Sequence, residues 1–457
     1  MTTSTTQSGR PSLMHEEYRF RVGSTSKDGV TRWRCCTKTC PAKVFTSNGD
    51  VVNCIGDHSH DPPRNTGAVQ LRQACKRKAS EDLTSKPSKL IKTEHYNDAS
   101  LQGTCIMAED YGRIRQAIYR ERRKKYPCLP KTLSETFLKV ESATFRTVSG
   151  ENFVIDNDSV NGMIIMSCEE NMNFLCACEE LFCDGTFKYV PTFFQQMYVI
   201  IGLRCGWYVP LVFVFMTKKS EGTYDLMWSK LKEHCQQHGK DLRPKRIVMD
   251  FEKAALKAAE TAFPSATRFG CRFHLSQAWN RKIQQLGLSS DYSDRNSEIS
   301  MWLNLFYGLP FLQPEEIGDC FTDVLFAAIP DDQRCEEFAD YILLNYIEEG
   351  SPYPPSLWAS NDPNLRRTNN GCESFNSHFN GEFYSAHPNI LIVVDVLLKF
   401  QAASSAKIKS AMTDKQAPRK KQVQVKQDRV RDILQRRNAG DLELHDMLKQ
   451  LGYINRI

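Results

Sequence analysis

The sequence predicts an α/β protein that is preceded by a small β-rich module and followed by a helical tail. Strand-like apolar runs alternate with amphipathic helical patterns from about residue 146 onward. Cysteines and histidines concentrate in residues 18–64, whereas basic helical patterns fill residues 386–457. With 457 residues, of which 41% are hydrophobic and 25% charged, the chain is long enough for several domains with ordinary cores.

Changes in composition divide the chain into successive segments, whose boundaries we expect as follows. They are a disordered tail (1–17), a compact Cys/His module (18–64), a polar basic linker (65–105), a basic helical region (106–145), an α/β domain (146–385) with an acidic helical insertion (about 286–360), and a basic helical C-terminal region (386–457). No internal repeat at a fixed period is visible.

Positive charge is clustered although the net charge is only +6. Residues 72–92 hold seven Lys/Arg against two acids, residues 113–125 hold seven against one, and residues 415–437 hold nine against two. Any one cluster could be a solvated helix face or a linker. Three clusters in one chain favour a polyanionic partner, with nucleic acid as the first candidate.

The cysteine usage and the N-terminus bear on the compartment. Seventeen cysteines are scattered along the chain, and "MTTSTTQSGRPS" contains no apolar leader. We therefore expect a reducing compartment with metal-binding thiols rather than a disulfide framework. The basic run "KRK" at Lys76 suggests a nuclear import signal. The longest apolar stretch, residues 197–216, is interrupted by Arg204 and Pro210, so it predicts two buried strands and no membrane span.

Four side chains in the N-terminal module have metal-ligand spacing. Four residues separate Cys35 from Cys40, and one residue separates His58 from His60. If the histidines lie on a strand, both face the same side and can reach one ion. Two thiolates and two imidazoles suit tetrahedral Zn²⁺, which would supply much of the folding energy of so small a segment. The alternative is an unrelated set of surface side chains, and Cys36 is the thiol most readily confused with one of the four ligands.

This module resembles the FLYWCH zinc finger. The aromatics Tyr18 and Phe20, the step from Trp33 to the first thiolate, the second thiolate and the closing "HSH" carry the resemblance over residues 13–62. Cys54 is a spare thiol in this pattern. The resemblance implies a β-rich zinc module that binds DNA or protein.

The elements of the central domain follow from hydrophobic pattern and length. Three uniformly apolar runs predict buried strands, an amphipathic stretch ending at Gly239 predicts a helix, and two short strands each followed by a helix complete the series. In order, the segments are "ELFCDGTFKYV", "QQMYVIIGLRC", "YVPLVFVFM", "TYDLMWSKLKEHCQQHG", "KRIVMD", "FEKAALKAAETAF" and "TRFGCRFHLSQAWNRKIQQLG". The order β-β-β-α-β-α-β-α is that of a ribonuclease H-like domain.

Three carboxylates occupy positions where the predicted fold can bring them together. Asp184 lies inside an apolar strand, where a charge is costly unless it binds something. Asp250 ends a buried strand, at the sheet edge where α/β proteins place ligands. It could instead cap the following helix, and Glu252 is the next candidate for its role. Glu373 lies in "RTNNGCESFN", a predicted helix unusually rich in asparagine.

The asparagines of that helix surround its single carboxylate. At helical spacing, one face carries the polar side chains Asn370, Glu373, Asn376, Ser377 and Asn380, while phenylalanines line another face and can pack on the sheet. Amide side chains can orient a metal-bound carboxylate or contact a nucleic-acid backbone. The helix therefore predicts a polar surface built around Glu373.

Three converging acids make a site for two Mg²⁺ or Mn²⁺ ions, which suits phosphoryl transfer on a polynucleotide. Cys271 and His274 are a further pair, three residues apart. Two ligands do not complete a zinc site. His274 could lie near a scissile phosphate, or the two residues could be a buried structural pair.

Residues 180–385 resemble the transposase domain of Mutator-like elements (MULE), a DDE transposase family with the ribonuclease H-like fold. "CDGTF", "IVMDFEKAALKAA" and "GCRFHLSQAWNRKIQQLGL" carry the resemblance, with Asp184, Asp250 and Glu373 at the three acid positions and Cys271 and His274 at the family's C-x-x-H motif. Many relatives end in a zinc knuckle. Here no cysteine follows residue 372. A FLYWCH finger before this domain is similar to an arrangement in animal elements and genes derived from them.

The resemblance implies a DNA transposase that cleaves and joins strands. Two alternatives remain: a domesticated DNA-binding regulator of transcription or chromatin without transposition activity, and a protein-interaction scaffold built on the finger. The expected cofactors are structural Zn²⁺ and two catalytic Mg²⁺ or Mn²⁺ ions. The expected partners are DNA, as element terminal repeats or a derived site, a second copy of the chain and proteins bound by the finger, with no membrane. The expected location is the nucleus.

Overall fold

The computed structural model describes residues 2–5, 11–61, 66–101, 106–126, 128–362, 366, 370–418 and 421–456. These residues form a mixed α/β protein with two compact units. The first unit comprises residues 1–129 and 382–384, and the second comprises residues 130–381 and 385–457.

The first unit begins with a six-stranded antiparallel sheet in which the strands follow one another in chain order. They are β1 (Thr2–Thr5), β2 (Pro11–His15), β3 (Tyr18–Thr25), β4 (Thr31–Cys35), β5 (Lys43–Ser47) and β6 (Asp50–Ile55). Alternate side chains face a small core of Leu13, Phe20, Trp33 and Val44. So small a core cannot by itself stabilise a sheet of this size, which leaves a structural role for bound metal.

Part of the expected disordered tail is a strand. Residues 11–15 form β2, which pairs with β3 in the register Leu13 to Phe20. The side chain of Leu13 is fully buried. Burial of Leu13 and of its neighbour Met14, together with the backbone ladder, offsets the cost of ordering a segment that is polar in composition.

The segment 65–105, expected to be a linker, instead holds two helices that pack with a third. They are α1 (Thr66–Glu81), α2 (Pro87–Asn97) and α3 (Ala108–Lys125). Their apolar side chains are few but recur at helical spacing, so that Leu71, Cys75, Ile91, Ile114 and Ile118 form one buried cluster. The basic composition of the segment concealed this stripe in the sequence.

The second unit is built on a seven-stranded mixed sheet with the order β13-β12-β9-β10-β11-β8-β7. The strands are β7 (Val154–Asp158), β8 (Met163–Met166), β9 (Glu180–Thr186), β10 (Gln196–Arg204), β11 (Trp207–Met216), β12 (Arg246–Met249) and β13 (Thr267–Gly270). β12 runs parallel to both β9 and β13, and the other pairings are antiparallel. The five predicted strands are confirmed, and β7 and β8 extend the sheet beyond them.

Helices cover both faces of this sheet. The first five helices of this unit in chain order are α4 (Leu133–Ser142), α5 (Glu169–Cys176), α6 (Glu221–Gln237), α7 (Lys253–Ala262) and α8 (Arg272–Gln285). Val212 and Val214 of β11 pack in one cluster with Trp228 of α6, whereas Phe213 between them meets Phe375 at a ring-centroid distance of 5.5 Å. Burial on both faces explains why β11, and β10 between its polar end residues Gln196 and Arg204, are apolar.

The acidic helical region and the last two C-terminal helices share a second core. The remaining helices are α9 (Ser289–Ser293), α10 (Glu298–Phe306), α11 (Ile317–Cys320), α12 (Gln333–Ile342), α13 (Asn370–Gly381), α14 (Ile390–Met412), α15 (Lys421–Asn438) and α16 (Leu444–Asn455). Trp302, Phe338, Leu434 and Leu448 belong to one buried cluster. α15 and α16 are therefore packed elements of the unit. Among the described residues, no helix is both long and apolar enough to cross a membrane.

Candidate zinc and divalent-cation sites

The four predicted zinc ligands lie together at one end of the antiparallel sheet. Cys35 ends β4, and Cys40 lies in the turn before β5. The Sγ of Cys35 is 3.2 Å from Nε2 of His60, and the Sγ of Cys40 is 3.3 Å from Nδ1 of His58. All four ligand atoms lie within 4.8 Å of one another. We expected the two histidines to lie on a strand, but they do not. They follow the end of β6, where an irregular turn brings both rings inward.

Neighbouring groups hold the two imidazoles in place. The ring of Tyr18 stacks on His58 with centroids 3.3 Å apart, and its hydroxyl donates to the backbone oxygen of His60. Nδ1 of His60 lies 2.8 Å from the backbone oxygen of Asp61. A proton on Nδ1 then donates to this oxygen and leaves the Nε2 lone pair facing Cys35, which is the arrangement of a metal-bound histidine.

The two thiols of the group differ from each other, since burial raises the pKa of Cys35. Burial opposes ionisation of Cys40, but hydrogen bonds from the backbone of Ser59 and Ala42 lower its pKa to about 7. A thiol that ionises near neutral pH is suited to bind metal. Cys36 and Cys54 are exposed and lie outside the group. The donor set and its surroundings fit a structural zinc ion.

Two of the three predicted acids meet at the parallel edge of the second sheet. Asp184 lies in β9, and Asp250 directly follows β12. Because β12 pairs with β9 in parallel, the two carboxylates reach the same end of the sheet. The third side chain of the cluster is His274, in the first turn of α8. Ligand atoms of Asp184, Asp250 and His274 lie within 4.8 Å of one another.

Asp184 is held in an unusual environment for a carboxylate. Its side chain is buried, with 5% of the residue exposed. Its Oδ1 accepts from the backbone N–H of Gly185 at 2.9 Å, and its Oδ2 accepts from Nδ2 of Asn376 at 2.7 Å. Burial and the charges of Asp250 and Glu373 raise the pKa of Asp184 to about 7 despite these hydrogen bonds. A buried acid of this kind needs a cation to ionise fully.

Glu373 lies on α13 beside this cluster but outside the group defined by Asp184, Asp250 and His274. Its Oε1 is buried and makes no hydrogen bond to any described residue. Burial raises the pKa of Glu373, while the charge of Arg272 acts in the opposite direction. Glu373 is therefore close enough to influence Asp184 electrostatically without sharing its immediate contacts.

Close packing of α13 on the sheet sets the position of Glu373. A Cβ atom on Gly371 would overlap the ring of Tyr208 on β11, so only glycine permits this approach. Phe375 and Phe379 are buried on the face toward the sheet. The helix begins at Asn370, whose side chain lies outside the described part of the structure.

The polar face of α13 is used unevenly. Asn376 bonds directly to Asp184, a contact that the sequence pattern suggested only as a shared face. The Oδ1 atoms of Asn376 and Asn380 are buried and make no hydrogen bond within the described residues. Ser377 is exposed. The unsatisfied buried oxygen of Asn376, whose amide nitrogen donates to Asp184, fits the presence of a hydrated cation.

Asp250 and Glu252, the two candidates for the second acid, have different surroundings. The N-cap position of α7 is Glu252, so Asp250 does not cap that helix; its Oδ1 accepts from the N–H of Phe251 at 2.7 Å. Glu252 accepts from the hydroxyl of Tyr224 at 2.9 Å and pairs with Lys219 at 3.1 Å. Glu252 is thus committed to a network of its own and is not part of the cation group.

Cys271 and His274 do not act as a pair of ligands. Cys271 is buried at the N-cap of α8 and lies outside both ligand groups. Nδ1 of His274 lies 3.3 Å from Oδ1 of Asp250. The sequence identified His274 but left its role open, because a C-x-x-H spacing does not show which element the imidazole will face.

The basic clusters have different surroundings. On α3, Arg122 donates to the backbone oxygens of Asp82 and Ser85, so this arginine is structural. Arg113 on the same helix keeps 72% of its side chain exposed. The first nine residues of α15, 421–429, are exposed and include three basic side chains, Lys421, Lys426 and Arg429. Solvent-accessible positive charge therefore remains on both helices.

Comparison with protein families accounts for both regions. Residues 3–60 match the FLYWCH zinc finger domain, and residues 180–278 match the MULE transposase domain. The FLYWCH match starts before residue 18, as expected if the first strands belong to the finger. No curated protein matches the chain significantly. The resemblance seen in the sequence is confirmed: the chain combines an N-terminal FLYWCH zinc finger domain with a MULE transposase domain.

Proposed function

We propose that this protein is a DDE-type DNA transposase that binds DNA and uses Mg²⁺ or Mn²⁺ to cleave and transfer DNA strands. One observation carries the proposal. Inside the region that matches the MULE transposase domain, Asp184 and Asp250 meet at the parallel edge of the sheet. Glu373 lies outside the matched region, on a helix near enough for its charge to raise the pKa of Asp184. Carboxylates gathered at the carboxyl end of parallel strands suit hard cations and phosphate substrates.

The sheet supports a ribonuclease H-like fold for this domain. Five consecutive strands, starting from one edge of the sheet, have the order β13-β12-β9-β10-β11, in which three antiparallel strands continue into two parallel ones. The first acid lies on the first of these strands in chain order, the second follows the fourth, and the third lies on a late helix. β7 and β8 then form an additional edge beyond β11.

Four side chains of the acidic site have roles in this proposal. Asp184 and Asp250 hold the cation from two neighbouring strands, and Asn376 orients the Asp184 carboxylate through its hydrogen bond. Glu373 adds a third carboxylate from α13. When bound by these residues, divalent ions would supply activation of the attacking oxygen and stabilisation of the leaving oxygen at phosphorus.

The same proposal assigns DNA binding to surfaces outside the acidic site. The finger, the exposed arginines of α3 and the exposed N-terminal half of α15 supply the positive charge. We propose element terminal repeats or a derived site as the target, and the nucleus as the location. Self-association and protein partners of the finger are further parts of the proposal.

Cleavage by the full-length, zinc-loaded protein tests the proposed function. The substrate is DNA that carries the sequences flanking its own gene, with Mg²⁺ or Mn²⁺ present. Asp184→Asn, Asp250→Asn and Glu373→Gln should each reduce nicking by several orders of magnitude and leave DNA affinity nearly unchanged. Glu260→Gln is the matched control, because Glu260 is an exposed acid of the same domain that pairs with Arg268.

Each other outcome has a definite meaning. Equal cleavage by all variants would show that the acids do not form the active site. A wild-type protein that binds DNA tightly but never cleaves it with either metal would be a domesticated DNA-binding regulator. A protein that binds neither the DNA flanking its own gene nor DNA of unrelated sequence would be an interaction scaffold.

A further inference from the structure

The potential metal ligand grouped with both aspartates is an imidazole rather than the third carboxylate. Ligand atoms of Asp184, Asp250 and His274 lie within 4.8 Å of one another, and this group does not include Glu373. The three residues come from β9, from the end of β12 and from the first turn of α8. Three separate elements therefore converge on one small volume.

The position of the imidazole nitrogen suits metal binding. Nδ1 of His274 is 3.3 Å from Oδ1 of Asp250. Neighbouring ligands of an octahedral ion with bonds of about 2.1 Å lie about 3 Å apart. The same nitrogen is buried and makes no hydrogen bond among the residues that the structure describes. A buried nitrogen without a hydrogen bond, placed against a carboxylate, requires either a proton or a cation.

We propose that His274 is a direct ligand, with Asp184 and Asp250, of one divalent ion, and that this imidazole makes the site favour Mn²⁺ over Mg²⁺. The inference rests on the proposed function, because it deepens the description of the same site. Mg²⁺ prefers oxygen ligands, whereas imidazole is a normal ligand of transition metals. Glu373, with its buried and unbonded Oε1, is then left for the second ion.

The alternative is an ion pair in which a protonated His274 only positions Asp250. In that case no nitrogen is bonded to the metal, and replacing His274 changes the affinities for Mn²⁺ and Mg²⁺ by similar factors. The two arrangements therefore differ in a spectroscopic property and in a selectivity ratio. Neither readout depends on DNA cleavage.

The experiment uses the full-length protein with its finger loaded with zinc. Mn²⁺ is added to below one equivalent, and electron spin echo envelope modulation is recorded on protein with natural and with ¹⁵N-labelled histidine. We expect nitrogen modulation that changes with the label. His274→Gln should remove it and weaken Mn²⁺ binding at least about tenfold, with a smaller effect on Mg²⁺. His378→Gln is the control, because His378 is exposed on α13 and should change neither.

The results separate the inference from the proposed function. If Mn²⁺ binds no better to wild type than to Asp184→Asn, the acidic site holds no metal and the proposed function fails. If binding depends on Asp184 but the wild-type echo shows no histidine nitrogen, the proposed function stands and the role of His274 is refuted. The labelled wild-type measurement decides this even if His274→Gln does not fold.

Discussion

Removing the charge of Asp184 should stabilise the protein in the absence of Mg²⁺ and Mn²⁺. The substitution Asp184→Asn keeps the size and shape of the side chain. It also keeps both hydrogen bonds, because Gly185 can still donate to Oδ1, while the amide of Asn376 can turn and present its unbonded Oδ1 to the new NH₂ group. The principal change is therefore the loss of an ionisable group from a buried position.

The pKa of Asp184 gives the size and sign of the effect. It is raised from its ordinary 3.8 to about 7 by burial and by the charges of Asp250 and Glu373. The pKa of Asp184 is higher in the folded state than in the unfolded state, so its protonated form favours folding. This contribution to the free energy of unfolding is fully present below about pH 4 and is lost as the pH rises through 7. Three pH units correspond to about 4 kcal/mol. The variant loses about 1 kcal/mol because its two hydrogen bonds no longer involve a charged carboxylate. We therefore expect Asp184→Asn to be about 3 kcal/mol more stable than the wild type at pH 8.

Urea unfolding followed by tryptophan fluorescence measures this difference. Five of the six tryptophans lie between residues 207 and 358, so the signal reports mainly on the second unit. Unfolding should be recorded from pH 5 to pH 8 without Mg²⁺ or Mn²⁺ but with zinc retained. The gain in the variant should grow across this range. Saturating Mn²⁺ should stabilise the wild type and not the variant.

Asp158→Asn is a control of opposite sign. Burial opposes ionisation of Asp158, but Asn161 and Lys230 lower its pKa to about 2. Its contribution to stability is therefore present at neutral pH and is lost as the pH falls through about 2, so the variant should be less stable at pH 7. If Asp184→Asn is also destabilising at pH 8, or if its effect does not vary with pH, burial does not oppose the ionisation of Asp184 as we describe.

Three further predictions concern the finger, the third acid and DNA binding. Cys40→Ser should lower the zinc content of the full-length protein from one ion toward none, measured by elemental analysis. Gly371→Ala should displace α13 and reduce cleavage at least tenfold, whereas Gly381→Ala, with open space around it, should not; equal activities would contradict the packing argument. Replacing Lys421 and Arg429 together by glutamine should reduce the slope of log affinity against log salt by about 2, and an unchanged slope would exclude α15 from the DNA interface.

The sequence was most informative where a single physical pattern dominates. Uniformly apolar runs predicted β10 and β11, since a strand covered on both faces admits few polar residues. The spacing of Cys35, Cys40, His58 and His60 predicted the ligand group without the fold, because short connections leave few other ways to gather them. Asp184 was predicted because a charge inside an apolar strand is costly, and Asp250 because it ends a buried strand at an edge where α/β sheets place ligands.

Other features depend on tertiary contacts that a linear pattern does not contain. The helices at residues 66–97 carry so few apolar side chains that the segment appears polar until Leu71 and Ile91 meet across α1 and α2. The grouping of His274 with the aspartates depends on how β13 directs α8 toward the neighbouring strand end. The same holds for Asn376, since only the close approach of α13 at Gly371 selects it from several asparagines.

The bond from Asn376 to Asp184 also has a consequence for the order of events in folding. It joins residues 192 positions apart, across the whole helical insertion. Contacts of such long sequence separation close late, because the loop entropy must be overcome first. During synthesis the finger leaves the ribosome some three hundred residues before α13 does. The module proposed to hold DNA can therefore be folded and zinc-loaded while the acidic site is still incomplete.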